Sequence, residues 1–585
     1  MTLDELAAAW TAAWPTSLEA WSKFTRLRPP ALCRTADEAR AEGLSGSFAM
    51  IRLNDQAIIV SLPGVVESRV GHLPVEILAH EIGHHVLAPA TLTDHTRMIA
   101  RMRRALPTLE EQAPMVANLY TDLLINDRLQ RAAGLRMDEV YKALPRDDGA
   151  GALWRVYLRV YEVLWSLPRE ALGGGRTDDR EEGDAWLGAR LVRSYARDWL
   201  DGSGRFAALM LPYLLEDAEA AGRDFRRLAD TRTAGTGGSP AGLVDVDPEE
   251  EAGAIHPAAD PALGGQAPVD RPPVEVDRQA RSRGQAREPF EYGEILRAAG
   301  IALDEHEAAV RYYAERARGH LVRFPSRPVP ETPDPLPEGL EPWSLGDPLD
   351  EIGWFETIGQ SPHVVPGVTT VKRVYGTTEG NQIRREPVDL DIYVDSSGSM
   401  ADPRQQTSFP TLAGAIVALS ALRAGARVQA TLWSGARQFE STDGFVRDER
   451  AVLRVLTGYF GGATAFPLHV LRDTFARRPP TARPAHILVV SDDGVSTMFD
   501  AVDERGTPGW EVARDALSRA RGGGTLVLNL WPKWEESPQP AYQAIARARD
   551  QEGWAVHAVT SWEELVEFAR AFSRRHYAPG ARLAS

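Results

Sequence analysis

The chain has 585 residues, with 66 Lys and Arg against 82 Asp and Glu, a formal net charge of −16. Hydrophobic residues at 43% allow several cores, while the acidic balance supplies no overall field for nucleic acid or anionic lipid. The single cysteine, Cys33, excludes an intrachain disulfide and any zinc finger built on two or more cysteines, which points to a reduced, cytoplasmic setting.

The opening MTLDELAAAWTAAW is acidic, lacks a basic leading region and reads as a helix over 3–14 rather than a secretory signal. The most apolar runs, 206–215 and 412–422, fall short of the ~20 residues that cross a bilayer. Two β-rich runs, 48–53 and 57–62, flank Asn54 and Asp55 as a hairpin. Pro74 opens a helix that Pro89 ends, and a further helix covers 113–132. Residues 1–148 are expected to form an α+β unit. Residues 149–230 read as two or three amphipathic helices, with Trp154, Tyr157, Val160, Tyr161 and Leu164 at helical spacing. Residues 231–290, rich in Gly, Pro, Ala and acids, lack the apolar content to offset chain entropy and read as a disordered linker. A helical patch and a Pro- and Trp-rich wrapping segment follow over 291–367, where Trp343, Trp354 and Phe355 are expected to be buried by domain packing.

Over 368–577 strands and helices alternate. Strands are expected at 388–394, 428–433, 486–490, 525–530 and 554–559, with helices between or after them, so the expected fold is a doubly wound α/β domain on a parallel sheet. The first strand fits imperfectly: Asp389, Asp391 and Tyr393 occupy one face, where a central parallel strand is normally apolar on both.

Two constellations carry chemistry. His80-Glu81-Ile82-Gly83-His84 places two imidazoles one helical turn apart, able to share a zinc ion, with Glu81 as general base toward a bound water. Val75, Leu78, Ile82 and Val86 form an aliphatic stripe roughly opposite the histidines. A third ligand is required, and the 113–132 helix carries Asn118, Asp122 and Asn126 on one stripe at i,i+4 spacing. Asp122, the only carboxylate of the three, is the expected ligand; its alternatives are a solvated helix face or an outer carboxylate that orients a histidine. Asn118, Asn126 and His85 are candidates to steady the ligands from behind, and His85 and His95 are weaker candidates for ligation. An exposed strand edge of the preceding hairpin would hold an extended peptide beside the cleft. Together these parts suggest metal-assisted amide hydrolysis.

The second constellation, Asp395-Ser396-Ser397-Gly398-Ser399, leaves the carboxyl end of the first α/β strand with one carboxylate and hydroxyls in a D-x-S-x-S spacing, hard oxygen donors suited to Mg²⁺. LDIYVDSSGSM resembles the metal-ion-dependent adhesion site of von Willebrand factor A (VWA) domains. That resemblance implies that Thr464 in GGAT and Asp492 after HILVVS complete the ion's shell, leaving a position for a partner's carboxylate. The doubled Asp492-Asp493 leaves a choice of carboxylate, with Asp492 favoured because it directly follows the Ser that ends the strand.

The combination resembles bacterial VWA-like metallopeptidases with a zincin-like domain, of the kind encoded beside MoxR-class AAA+ ATPases. The resemblance implies a cytoplasmic zinc peptidase acting on a protein or peptide. Its VWA domain would present Mg²⁺ to an acidic side chain of the ATPase in a remodelling or defence-like system, without nucleic-acid or membrane partners. The alternative is a non-catalytic VWA adaptor for the ATPase, with a structural or vestigial zinc site.

Overall fold

The computed structural model describes residues 2–44, 47–144, 151–216, 231, 234–247, 250, 254–264, 287–321, 334–378, 387–561 and 563–577. The chain divides into two compact units: residues 1–316 with 399–408 and 457–461, and residues 317–398 with 409–456 and 462–585. No helix among the described residues is long and apolar enough to cross a membrane.

In the first unit, Thr2 and Glu5 form a reciprocal capping box at the start of helix Leu3–Glu19, which runs through Pro15 and so outlasts its expected end. The expected hairpin is present as Ala49–Arg52 paired antiparallel with Ala57–Ser61, and Ala31–Cys33 adds a third, parallel strand on the other side of Ala57–Ser61. The hairpin edge is not open as expected. Ala49, Met50 and Ile51 are all buried.

Helix Pro74–Val86 begins on Pro74, where the missing N–H costs no hydrogen bond. It is buried on more than one side: Leu78 and Ile82 enter the core as expected, but Val86 is exposed and Ala79, Glu81 and Gly83 are covered as well. Gly83 explains the close fit. A methyl group there would stand 2.5 Å from Ile125 Cγ2 and 2.7 Å from the Trp21 ring. Glycine therefore lets this helix lie directly on helix Ala113–Ala132.

Helices Ala152–Leu164, Asp179–Ser194 and Trp199–Glu216 join the same core. Tyr157, Tyr161 and Phe206 lie in one apolar cluster with Trp10, Leu78 and Leu123, so residues 1–148 and the helices after them share a single interior. The stretch expected to be a disordered linker is packed where it is described. Leu53 N–H donates to the Ala234 carbonyl at 2.9 Å, Arg101 pairs with Asp247 at 3.0 Å, and Arg205 pairs with Asp260 at 2.6 Å. Leu243, Val244, Val246 and Leu263 are buried. A few anchoring aliphatics and carboxylates matched to arginines outweigh the stretch's average polarity; residues 265–286 lie outside the described residues.

The second unit is built on a six-stranded sheet in the order 555–559, 521–529, 485–491, 389–395, 428–433, 439–441. In chain order this reads 6-5-4-1-2-3, the doubly wound arrangement with its switch point between Asp389–Asp395 and Ala485–Ser491. All pairings are parallel except the last, where the short edge strand Phe439–Ser441 runs antiparallel to Val428–Trp433. A separate two-stranded sheet pairs Asp334–Pro342 with Val371–Thr378. Trp343 is buried beside it, but Trp354 and Phe355 are 52% and 88% exposed, so burial is not the reason for those two side chains.

Candidate metal centres

His80 and His84 lie one turn apart on helix Pro74–Val86, and their Nε2 atoms stand 3.3 Å from each other. Asp122, in the middle of helix Ala113–Ala132, places Oδ1 3.6 Å from His80 Nε2 and 3.7 Å from His84 Nε2. These three are a cluster able to hold a metal ion. His84 and Asp122 are almost fully buried, while His80 keeps 12% of its side chain exposed.

Hydrogen bonds fix which ring nitrogens face inward. His84 Nδ1 lies 3.1 Å from the Ala88 carbonyl, which only accepts, so Nδ1 carries the proton and Nε2 keeps a lone pair. His80 Nδ1 is 2.8 Å from Asn126 Oδ1, and Asn126 in turn donates through Nδ2 to the Tyr141 and Tyr161 hydroxyls. That orientation makes Asn126 Oδ1 an acceptor and leaves His80 Nε2 facing His84. Asn118 donates to Asp122 Oδ2 at 3.1 Å and accepts at Oδ1 from both the N–H and hydroxyl of Thr231. The polar stripe thus splits its labour: Asn118 steadies the carboxylate, Asp122 faces the histidines and Asn126 steadies a ring.

Glu81 is buried and lines the same cavity as His80 and Asp122, a space of about 40 Å³ walled by Phe48, Met137 and Tyr141. His85 does not join the cluster; it faces the hairpin turn at Asp55 and Gln56, and burial, with His84 adding, pushes its pKa down to about 4. His95 is buried outside the cluster. Sequence reasoning did not single out Thr231 or the mutually bonded Tyr141, Tyr157 and Tyr161, whose ionisation is opposed first by burial and also by the Asp122 charge. The helical spacing of Tyr157 and Tyr161 was visible, but nothing local ties them to a histidine 80 residues earlier.

In the second unit the carboxyl ends of neighbouring strands meet at the switch point. Asp395 Oδ1 accepts from Ser397 N–H at 2.8 Å, and Oδ2 accepts from the Ser491 hydroxyl at 2.5 Å. Gly398 N–H donates to the Gly462 carbonyl at 2.9 Å, which brings the Gly-Gly-Ala-Thr loop alongside. Ser434 pins that loop by donating to the Ala463 carbonyl and accepting from Gly462 N–H. A methyl group on Gly494 would stand 2.5 Å from Thr464 Cγ2 and 3.0 Å from Asp492 Oδ1, so Thr464 and Asp492 flank one glycine. Burial, with the Asp492 charge adding, raises the Asp395 pKa to about 6 against its hydrogen bonds from Ser491 and Ser397. Asp493 is engaged elsewhere, by the Tyr542 hydroxyl. Ser399 is exposed and belongs to residues 399–408, which group with the first unit, so the second unit by itself holds Asp395, Ser397, Thr464 and Asp492. Ser434 and Ser491 are the residues sequence reasoning missed; each ends or follows a strand and carries no motif of its own.

No family model matches the chain, and no curated protein matches it. Solved structures similar to it include a von Willebrand factor type A protein from Catenulispora acidiphila, with 18% identity over 35% of this chain and 44% of that one and a TM-score of 0.23. A variant of the PilB minor pilin from Streptococcus sanguinis is 10% identical over 36% of this chain and 66% of that one, with a TM-score of 0.25. The conserved hypothetical protein BatB from Bacteroides thetaiotaomicron is 15% identical over 32% of this chain and 98% of that one, with a TM-score of 0.21. The chain thus spans 44% and 66% of the lengths of the first two.

Proposed function

We propose that the first unit is a zinc-dependent peptidase and that the second is a VWA-type, Mg²⁺-dependent interaction module that docks an acidic side chain of an AAA+ ATPase of the MoxR type. The observation that carries the peptidase reading is the cluster of His80, His84 and Asp122 beside a cavity that Glu81 lines together with His80 and Asp122. A tetrahedral ion held at about 2.0–2.1 Å has ligand–ligand edges of about 3.3 Å, and the three edges here are 3.3, 3.6 and 3.7 Å. The donor set also fits, since both imidazoles turn a lone pair inward beside a carboxylate. Zinc bound there would supply a water of lowered pKa and a Lewis acid for the scissile carbonyl.

Glu81 takes the proton of the attacking water and returns it to the leaving amine. Asn126 and the Ala88 carbonyl hold the imidazole rings, and Asn118 holds the carboxylate. Substrate entry requires Phe48 or Met137 to withdraw, because a cavity of about 40 Å³ holds about one water and no peptide. That narrowness favours one other reading, a closed metal site in a non-catalytic adaptor. In the second unit, Asp395, Ser397, Thr464 and Asp492 would hold Mg²⁺; the mutual repulsion of Asp395 and Asp492 supports a cation between them.

The deciding experiment measures zinc content and casein hydrolysis for the wild type and Glu81→Gln, with and without the ATPase. Retained zinc with hydrolysis lost only in the variant supports the peptidase. Retained zinc with no hydrolysis in either protein, ATPase present, refutes it in favour of the adaptor.

A further inference from the structure

A cavity of the second unit lies at the opposite end of the sheet from the Asp395 loop. It encloses about 820 Å³, within the size range of small-molecule sites. Its floor includes Asp389 and Gln429, and its walls are the edge hairpin around Phe439–Ser441 and the helix Leu468–Arg477. Asp389, Arg427 and Arg483 stand at or just before the first residues of three adjacent strands, roughly 20 Å from the Asp395 end at about 3.3 Å per residue.

Five arginines line this space against three aspartates, in a chain whose overall charge is −16. Their compensation is uneven. Arg478 is nine-tenths buried, pairs with Asp389 at 2.7 Å and lies over the Phe445 ring at 4.1 Å. Among the described residues, Arg477 has only a long pair to Asp473 at 3.6 Å. Arg447 donates to the Gly425 carbonyl at 3.0 Å, and Arg483 donates to the same carbonyl at 3.1 Å. Among the described residues, neither Arg427 nor Arg447 has a carboxylate within ion-pairing distance. Guanidinium groups cannot shed their charge, and their planar forks match phosphate oxygens.

The other end of the cleft is aromatic. Phe439 is paired with Trp433 in the strand register, about 13 Å along the sheet from Gln429. It is 38% exposed and meets the His469 ring edge-to-face at 4.8 Å. The polar face noted on the first strand belongs to this side of the sheet. Asp391 is in register with Gln429, which donates to Thr474 at 2.7 Å, and Asp391 Oδ1 is buried with no hydrogen-bond partner among the described residues. Of that face only Asp389 lines the cavity; Asp391 and Tyr393 are fully buried, and Tyr393 packs with Trp433, Phe466 and Leu471.

We infer that this cleft binds a nucleotide, with its phosphates on Arg427, Arg447 and Arg483 and its base against Phe439 and His469. The site is separate from both candidate metal centres and does not depend on the peptidase reading. The test is calorimetric titration of the full chain with ATP in EDTA, so that the aspartates at the other end of the sheet hold no metal–nucleotide complex. ATP is expected to bind with a Kd below about 100 µM. Arg427→Ala and Arg447→Ala, both at exposed side chains, each weaken it by at least about tenfold, while Arg519→Ala outside the cleft leaves it unchanged. Absence of saturable binding at millimolar ATP, or binding that survives both arginine substitutions, overturns the proposal. Tripolyphosphate or adenosine binding as tightly as ATP overturns the assignment to a nucleotide.

Discussion

Replacing Gly83 by alanine puts two opposing effects on one methyl group. In a helix interior alanine is favoured over glycine by about 1 kcal/mol, so propensity alone makes Gly83→Ala stabilising. The structure points the other way. The new methyl would lie 2.5 Å from Ile125 Cγ2, 3.1 Å from Ile125 Cγ1 and 2.7 Å from Trp21 Cζ2. Neither neighbour yields easily: Ile125 is fully buried and branched at Cβ, and the Trp21 indole is tied by its N–H to the Ala79 carbonyl at 2.7 Å. Overpacking of this kind costs about 1–3 kcal/mol. With both contacts below 3.0 Å the upper half of that range applies, leaving a net loss of about 1–2 kcal/mol after the propensity gain. For a unit of more than 300 residues that is a fall in melting temperature of roughly 1–3 °C, measured by circular dichroism on heating. In an Ile125→Ala background the added penalty should shrink but not vanish, because the Ile125 contacts are gone while the one to Trp21 at 2.7 Å remains. A Gly83→Ala protein that melts at or above the wild type would refute the close approach of the two helices.

Two further substitutions probe other parts of the molecule. Asn126→Ala removes the acceptor at His80 Nδ1 and should lower zinc affinity about 10- to 100-fold, measured by competition with a chromophoric chelator; unchanged affinity would show that the ring needs no such support. Asp391→Asn addresses linkage. Burial raises the Asp391 pKa to about 7, against the hydrogen bond from Tyr393 and the charge of Arg478. The folded state therefore holds this proton to higher pH than the unfolded one, and the group's contribution to stability falls as pH rises from about 4 to about 7. Asp391→Asn should flatten that part of the urea-midpoint profile and be the more stable protein at pH 8; identical slopes would refute the assignment.

The doubly wound unit was legible because its strands are short apolar runs broken by helices of ordinary length, and 428–433 and 468–477 form elements with the expected ends. What escaped was the edge strand Phe439–Ser441, three residues whose exposure gives no apolar signature, and the sheet's antiparallel last pairing. At the first candidate centre the i,i+4 arithmetic brought His80, His84 and Asp122 into one argument before any coordinates. Thr231 was out of reach because a single residue in a polar stretch carries no period. The 231–290 stretch misled for a related reason: disorder is inferred from average composition, whereas docking here depends on four aliphatic anchors and a few matched charges. The hairpin edge misled because strand periodicity describes one face at a time, and Val86 misled because it lies at the last residue of its helix, where the stripe runs out of the core and the side chain stays exposed.

The bond from Thr231 to Asn118 joins residues 113 apart in sequence. It also sets an order of assembly. Both histidines and Asp122 are in place within the first 122 residues of synthesis, but the segment that completes the hydrogen bonding of Asn118, and through it Asp122, comes from the ribosome only later. A metal held by His80, His84 and Asp122 would therefore depend on the whole first unit, and a chain cut short before residue 231 would keep these three residues but lose the Thr231 bonds that fix Asn118.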